Sequence, residues 1–433
     1  MSQLLQNVTG ARLPTQAPSH LTIFSSPSTL CFELSRLPCG KERNTMTDFC
    51  IVGWAHTKFG KLEEPDIETL IGQVAGKAIA DAGVAPQDID AAFVGLFNNG
   101  FSRQDFPASL VLQFLPELRF KPITRYENAC ATGSAAIHGA RDFLAAGRGR
   151  FALVVGVEKM TATPGPEVGD ILLNACYRKE EGDIPAGFAG VFARIAERYF
   201  QRFGDQSDAL ATIAAKNHKN GVANPYAQLR KDLGFAFCRE ASEKNPYVAP
   251  PLKRTDCSPV SDGAAALVLT DADTAQGLSK AVRLRAAVQV NEFLPISKRD
   301  ITRFEGAAEA WRRALDQAGI KVGDLSFAEV HDCFTIAELM VYEAMGLTPY
   351  GRGARAALEG WTAKDGRLPI NPSGGLKSKG HPIGATGVSM HVMAAMQLTG
   401  EAGDMQLPKA DIAGVFNMGG AAVANYVSIL ERL

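Results

Sequence analysis

The chain has 433 residues, beyond the length at which single hydrophobic cores stop growing, so two or more packed units are expected. Its 45 basic and 46 acidic side chains nearly cancel, which excludes a global field for nucleic acid, an anionic membrane or a polyanionic substrate. Eight cysteines, at 31, 39, 50, 130, 176, 238, 257 and 333, form no C-x-x-C pair; they point to reduced intracellular thiols rather than disulfides or structural zinc.

Residues 1–45 are rich in Ser, Thr and Pro and are expected to be a disordered or non-native leader outside the fold. Organelle transit peptides share that texture, yet no amphipathic Arg-bearing helix is visible. Met46 is as good a start as Met1, so a cytoplasmic location is favoured over organellar targeting. No apolar run approaches the ~18 residues that a membrane span requires.

From Asp48 onward, short apolar runs alternate with helical patterns and glycine turns, the signature of an α/β protein. Strands are predicted over 49–53, 91–96, 151–157, 264–270, 327–331 and 412–416. After Asp66, the spacing of Leu70, Ile71, Val74, Ala78 and Ile79 predicts a helix that stops at Gly83.

Two segments repeat in the same order. DAGVAPQDIDAAFVG begins at Asp81 and QAGIKVGDLSFAEVH at Gln317; Ala131-Thr132-Gly133 returns as Ala385-Thr386-Gly387. Duplicated halves are therefore expected over 46–275 and 276–433. About 160–255 has no counterpart in the second half and reads as an inserted loop domain that covers substrate, with helical patterns over 191–203 and after a cap at Ser207.

Three stretches carry reactive groups. In ENACATGSAAIHGA (127–140), Cys130 precedes a helix whose amides and dipole favour thiolate and lower its pKa; a buried structural cysteine is the alternative. In VHDCFTIAEL (330–339), His331, Asp332 and Cys333 end a strand, where ligands gather in open sheets; Asp332 either caps the next helix or reacts. In NPSGGLKSKGHPIGATG (371–387), His381 is pinned by Pro382 among glycines that match neither a P-loop nor a dinucleotide fingerprint. Because the ATG turns repeat, pseudo-symmetry brings Cys130 and His381 face to face, a nucleophile and base pair.

Together ENACATGSAA, HDCFTIAE and NPSGGLKSKGHPIGATG make the chain from Asp48 to Leu433 resemble the thiolase family, specifically the sterol-carrier-protein type and related bacterial and archaeal thiolases. The resemblance implies a five-layered αβαβα fold of two βαβαβαββ-type halves and a homodimer or homotetramer. It implies coenzyme A thioesters as substrates, with no further cofactor and no metal. The implied activity is that of an acetyl-CoA acetyltransferase or other acyltransferase, which condenses acyl-CoA with acetyl-CoA or cleaves 3-ketoacyl-CoA through an acyl-cysteine. By the same resemblance Cys130 is the nucleophile, His381 its base, and the amides of Cys130 and Gly419 the oxyanion hole. Cys333 is the acid/base for carbon, and His331 holds a water at the enolate oxygen. Asn417 stands where many thiolases carry a second cysteine, a departure that fits the sterol-carrier-protein type, whose acid/base cysteine lies in HDCF.

Cys176, Cys238 and Cys257 read as structural, as does His138; His56 and His218 have no nameable partner. Arg178, Lys216, Lys219 and Arg230 are candidates for the CoA phosphates. Some relatives act with a small OB-fold, zinc-ribbon partner. A ketoacyl-carrier-protein synthase would need an asparagine motif where Cys333 stands. A noncatalytic or scaffold acyl-CoA or lipid-binding homologue would not need a second cysteine.

Overall fold

The computed structural model describes residues 48–63 and 66–433, so the reading of residues 1–45 lies outside the described residues. Apolar runs bounded by glycine turns form β1 Phe49–His56, β2 Ala91–Gly95, β3 Ile123–Tyr126, β4 Phe151–Glu158, β5 Tyr247–Ala249, β6 Leu252–Lys253, β7 Gly263–Asp271, β8 Val282–Asn291, β9 Phe327–Val330, β10 Ile412–Gly419 and β11 Ala424–Arg432. Strands β5 and β6 pair only with each other; the other nine form one mixed sheet, ordered β3-β2-β4-β7-β1-β8-β11-β10-β9.

That order is a mirror about the β1–β8 seam, where Phe49, Cys50 and Ile51 lie opposite Leu284, Arg283 and Val282. On one side run β1, β7, β4, β2 and β3; on the other run β8, β11, β10 and β9, with an isolated parallel bridge between Ala328 and Ile370 where a fifth strand would stand. The parallel pairs are matched too: β4–β2 and β2–β3 on one side, β10–β9 on the other.

Each predicted strand is present; β3, β8 and β11 add to them in the main sheet, and β5 and β6 form the separate pair. Sequence reading selected continuous apolar runs, which mark strands buried on both faces. Strand β8 instead alternates buried Val282, Leu284 and Ala286 with Arg283 and Arg285, whose guanidinium groups pair with Glu431 on β11. Short β3 borders the sheet and is only partly covered.

Helix Ile67–Asp81 is capped by the Asp66 carboxylate, which accepts from Thr69 N at 2.9 Å; it packs on β1, β4 and β7. Its counterpart, Glu305–Ala318, lies against β8 and β11. Between the sheet halves lie Thr132–Ala145 and Ile383–Thr399, against β2 and β4 and against β4, β7 and β10 respectively. The second is buried on nearly every face, as a helix enclosed by two sheet layers must be. These outer helices, sheet halves and central helices build the αβαβα layering.

The central helices touch at the repeated glycines. A Cβ at Gly133 would lie 2.6 Å from Val388 N, and one at Gly387 would lie 2.3 Å from Ser134 N. Neither position admits a side chain while the backbones stay this close. Among the described residues, no helix is long and apolar enough to cross a membrane.

The segment between β4 and β7 folds into helices including Gly165–Leu172, Phe188–Phe203 and Ser207–Gly221. Ser207 is a helical residue rather than the cap. The preceding Asp205 carboxylate accepts from both its amide, at 2.9 Å, and its hydroxyl, at 2.6 Å.

Candidate active site

Cys130 sits one residue before Ala131, the cap of the Thr132–Ala145 helix, at the end of a turn that passes through Ala129 at a φ of 48°. Thr132 closes this turn: its Oγ1 accepts from Asn128 N at 2.8 Å and donates to Ala129 O at 2.6 Å. His381 precedes Pro382, the cap of the other central helix, and its amide donates to Ser261 Oγ at 3.0 Å. His331 and Cys333 follow the end of β9.

The four meet. A ligating atom from each of Cys130, His331 and His381 lies within 4.8 Å of the others, and the two imidazoles stand edge to face with centroids 5.0 Å apart. Cys130, Cys333 and His381 line one apolar cavity of about 210 Å³; His331, fully buried, stands behind it. The inserted segment supplies much of the wall, including Met160, Val168, Leu172, Phe188 and Val260. Cys257, read as structural, also faces this cavity.

The hydrogen-bond network assigns different tautomers to the two histidines. Thr386 Oγ1 donates to Pro382 O at 2.8 Å, so at 2.7 Å it can only accept from His381 Nδ1. That places the His381 proton on Nδ1 and leaves Nε2, which has no other partner, as a lone pair. Asn417 Nδ2 lies 3.0 Å from both Cys130 O and His331 Nδ1, while its Oδ1 accepts from Ser134 Oγ at 2.8 Å. A carbonyl oxygen demands a donor, so the amide nitrogen faces Cys130 and His331 Nδ1 accepts. The His331 proton is then on Nε2, likewise without a partner.

Helix-end amides were expected to lower the Cys130 pKa; burial instead pushes the thiol up to about 12, against the opposing amide of Gly420. Burial, then the nearby Lys379 ammonium, holds His381 down to about 3. The resting pair is thus a neutral thiol beside a neutral imidazole. Cys333 is raised well above its ordinary value by burial and then by Cys130. Gly419 ends β10 against the Asn128 carbonyl, and the amide that reaches the Cys130 sulfur belongs to the next residue, Gly420.

Asp332 neither caps the next helix nor lines the cavity. It binds the glycine loop: its carboxylate accepts from Leu376 N at 2.6 Å, Lys377 N at 3.2 Å and Asn217 Nδ2 at 2.7 Å. A Cβ at Gly375 would lie 2.3 Å from that carboxylate, which explains one of the glycines around His381. Buried Glu329 takes Ser373 N and Oγ, and Glu338 takes Asn371 Nδ2, so a row of carboxylates fastens this loop to HDCF. On the other side Glu158 accepts from Phe97, Asn98 and Gly384 amides and holds the His381 turn against the first half.

Sequence reading missed these supporting groups because an isolated Glu, Asn or Thr carries no spacing signal. Asn417 stood out as a departure from a motif, Asp332 as a cap or reactive group, and Thr132 and Thr386 only as members of the repeated turn. Lys216 is not available to a CoA phosphate, since its ammonium pairs with buried Glu338 at 2.8 Å and with Ile370 O. Arg178 pairs with Asp170, whereas Lys219 is exposed. His56, given no partner from sequence, lies 2.7 Å from Ser389 Oγ and packs on Phe59 and Tyr226.

One thiol and two imidazoles at this spacing are a donor set that zinc takes. In the assigned tautomers, however, His331 offers no lone pair, because Nδ1 is engaged by Asn417 and Nε2 bears the proton.

Comparison with known proteins agrees across the chain. The family model for the thiolase N-terminal domain matches residues 49–273, and that for a thiolase C-terminal domain-like region matches 288–432. An acetyl-CoA acetyltransferase of Methanothermobacter thermautotrophicus is 36% identical over 89% of this chain and 100% of its own length. Human sterol carrier protein 2 is 33% identical over 88% of this chain and 72% of its own length. Among solved structures, an Ltp2-ChsH2(DUF35) aldolase superposes with a TM-score of 0.75 at 21% identity, covering 89% of this chain and 98% of that one, a likeness of fold.

Proposed function

Because the chain belongs to the thiolase family, we propose that it transfers acyl groups between coenzyme A thioesters through Cys130, cleaving 3-ketoacyl-CoA with CoA or running the reverse condensation. The observation that carries this reading is the convergence of Cys130, Cys333 and the His381 lone pair on one apolar cavity. A binding protein has no use for a second thiol and an oriented base there.

In the cleavage direction, His381 Nε2 takes the Cys130 proton as sulfur attacks the 3-keto carbon. The oxyanion forms beside the amides of Cys130 and the Gly419–Gly420 turn. The C2–C3 bond then breaks, its electron pair passing to an enolate of acetyl-CoA. The enolate oxygen is held by the proton now on His381 Nε2 and by the His331 Nε2 proton, directly or through a water. Cys333 gives its proton to C2, releasing acetyl-CoA. The resulting thiolate takes the proton of an incoming CoA thiol, whose sulfur attacks the acyl-enzyme; Cys130 leaves and recovers its proton from His381.

The scheme draws on CoA and its thioesters and calls on no cofactor beyond them. The resemblance and the DUF35-paired aldolase keep a small OB-fold, zinc-ribbon partner within this proposal, with a homodimer or homotetramer as the expected assembly. The test is to incubate the protein with acetoacetyl-CoA and CoA, follow loss of the ketoacyl thioester, and locate the trapped acyl group by peptide mass. Turnover with label on Cys130 is expected; neither turnover nor label would reject the enzyme.

A further inference from the structure

We infer that Asn417 is a positioning residue that sets the tautomer of His331, keeping the proton on Nε2 so that the second histidine of the site donates where His381 accepts. The inference rests on the acyl-transfer reading for its consequence, but the hydrogen bonds carry it independently. Asn417 is fully buried, on β10 between the two central helices, and every polar atom of its side chain is engaged. Oδ1 takes the Ser134 hydroxyl at 2.8 Å, and Nδ2 reaches Cys130 O and His331 Nδ1, each at 3.0 Å.

Turning the amide over would set Oδ1 against the Cys130 carbonyl at that distance, two acceptors with no hydrogen between them. The orientation is therefore fixed by Cys130, and through it the tautomer of His331. Ser134 and Cys130 belong to the first half, His331 to the second, so one amide registers the nucleophile's turn against the enolate-side histidine.

This gives a physical account of why an asparagine occupies the place where the resemblance puts a cysteine. A thiol has one weak hydrogen and cannot serve Ser134, Cys130 O and His331 Nδ1 together. With the carbon acid/base role expected of Cys333, position 417 is free to hold the amide. The two imidazoles then divide the work before substrate arrives. One lone pair faces the nucleophile's proton, and one N–H awaits the oxygen that becomes negative when the carbon–carbon bond breaks.

The decisive pair of measurements is a neutron crystal structure of the wild-type protein and of Asn417→Asp, with two rates for each. The rates are acetoacetyl-CoA thiolysis and exchange of labelled CoA into acetyl-CoA, which forms no enolate. Wild type should carry deuterium on His331 Nε2. The isosteric carboxylate that Asn417→Asp introduces only accepts, so deuterium should move to Nδ1. Thiolysis should then fall by about 10²–10⁴-fold, the range opened when a wrong tautomer is imposed on a catalytic histidine, and the same variant structure shows whether the carboxylate oxygen facing Cys130 O has displaced the Cys130 turn. Exchange should fall much less.

Deuterium on Nδ1 in the wild type would overturn the assignment without any variant having to fold. So would a shifted proton with thiolysis unchanged, or thiolysis and exchange falling equally, which marks a structural role. If wild type shows neither reaction, the acyl-transfer reading fails, and the neutron map alone decides whether Asn417 sets the tautomer.

Discussion

The two ATG turns, 254 residues apart, are built alike and used differently. In the first half Thr132 Oγ1 accepts the backbone amide of Asn128 and donates to Ala129 O, so the hydroxyl is spent on holding the Cys130 turn. In the second half the residue matching Asn128 is Pro382, which has no N–H to give. The Thr386 hydroxyl therefore keeps an acceptor site, and the His381 imidazole takes it. His381 itself matches Glu127, which is exposed and accepts only the amide of Ala129. In the proposed reaction, one duplicated turn thus mounts the nucleophile and the other the base. Proline is the residue that makes the difference.

The matched pair itself offers the most severe test of this contrast. His381→Ala should lower thiolysis by on the order of 10⁴–10⁶-fold, the scale seen when a base is taken from a cooperating nucleophile pair. Glu127→Ala should stay within about threefold, measured under the same saturating conditions. Next comes Cys333→Ala: a Cys130 that still acquires label from acetyl-CoA, with condensation reduced about 10²–10⁴-fold, is expected for loss of an acid/base group. Unchanged condensation would remove Cys333 from the scheme.

The matched threonines separate chemistry from stability. Thr386→Val, like Thr132→Val, removes two hydrogen bonds from a buried turn, at about 1–3 kcal/mol, but it alone leaves His381 free to change tautomer, so kcat should drop about 10–100-fold. Thr132→Val removes two hydrogen bonds from a buried turn and should cost about 1–3 kcal/mol, read by thermal unfolding. Gly133→Ala and Gly387→Ala probe the contact between the helices. Each forces backbones apart and should cost about 1–3 kcal/mol, with activity falling in step as Cys130 and His381 separate.

The last contrast is in acid stability. All six described histidines are held below the ordinary imidazole value by burial: His56, His218 and His381 at about 3, His391 at about 4, His138 and His331 well below. The unfolded chain binds protons near pH 6.5 that the folded chain refuses, so stability falls as pH drops from about 6.5 toward 4, by up to roughly 1.4 kcal/mol per unit per histidine. Glu158, raised by burial to about 7, and Asp332, Glu329 and Glu343, also raised by burial, act in the opposite sense. Four carboxyls against six imidazoles leave the acid side the weaker. Denaturant melts at pH 7 and 5 should show a lower midpoint at 5; a higher one would mean the histidines charge within the fold. Alkylation of Cys130 between pH 5 and 8 should rise without an inflection at 6.5, because His381 stays neutral throughout that range.

Much of this was legible in the sequence for identifiable reasons. Strands buried on both faces announce themselves as apolar runs, and the repeated ATG placed Cys130 and His381 at related turns of two halves, each just ahead of a central helix. The HDCF motif supplied Cys333 and His331, again by local spacing. Strand β8 was not legible, because Arg283 and Arg285 find their carboxylate on β11, far along the chain. Nor was the role of Asp332, since a carboxylate three residues before a helix looks like a cap until a distant loop is laid across it.

Residue order alone established which reactive groups exist, that they lie at turns before small-residue helices, and that the fold is doubled. Their protonation states came from packing. Burial reversed the expected direction of the Cys130 pKa, since desolvation of a thiolate outweighs the few amides aimed at it. The His381 tautomer was set within one turn, by Thr386 and Pro382, and association of the halves set that of His331 through Asn417. A proton's place on an imidazole depends on what faces the other nitrogen, and for His331 that neighbour is 86 residues away.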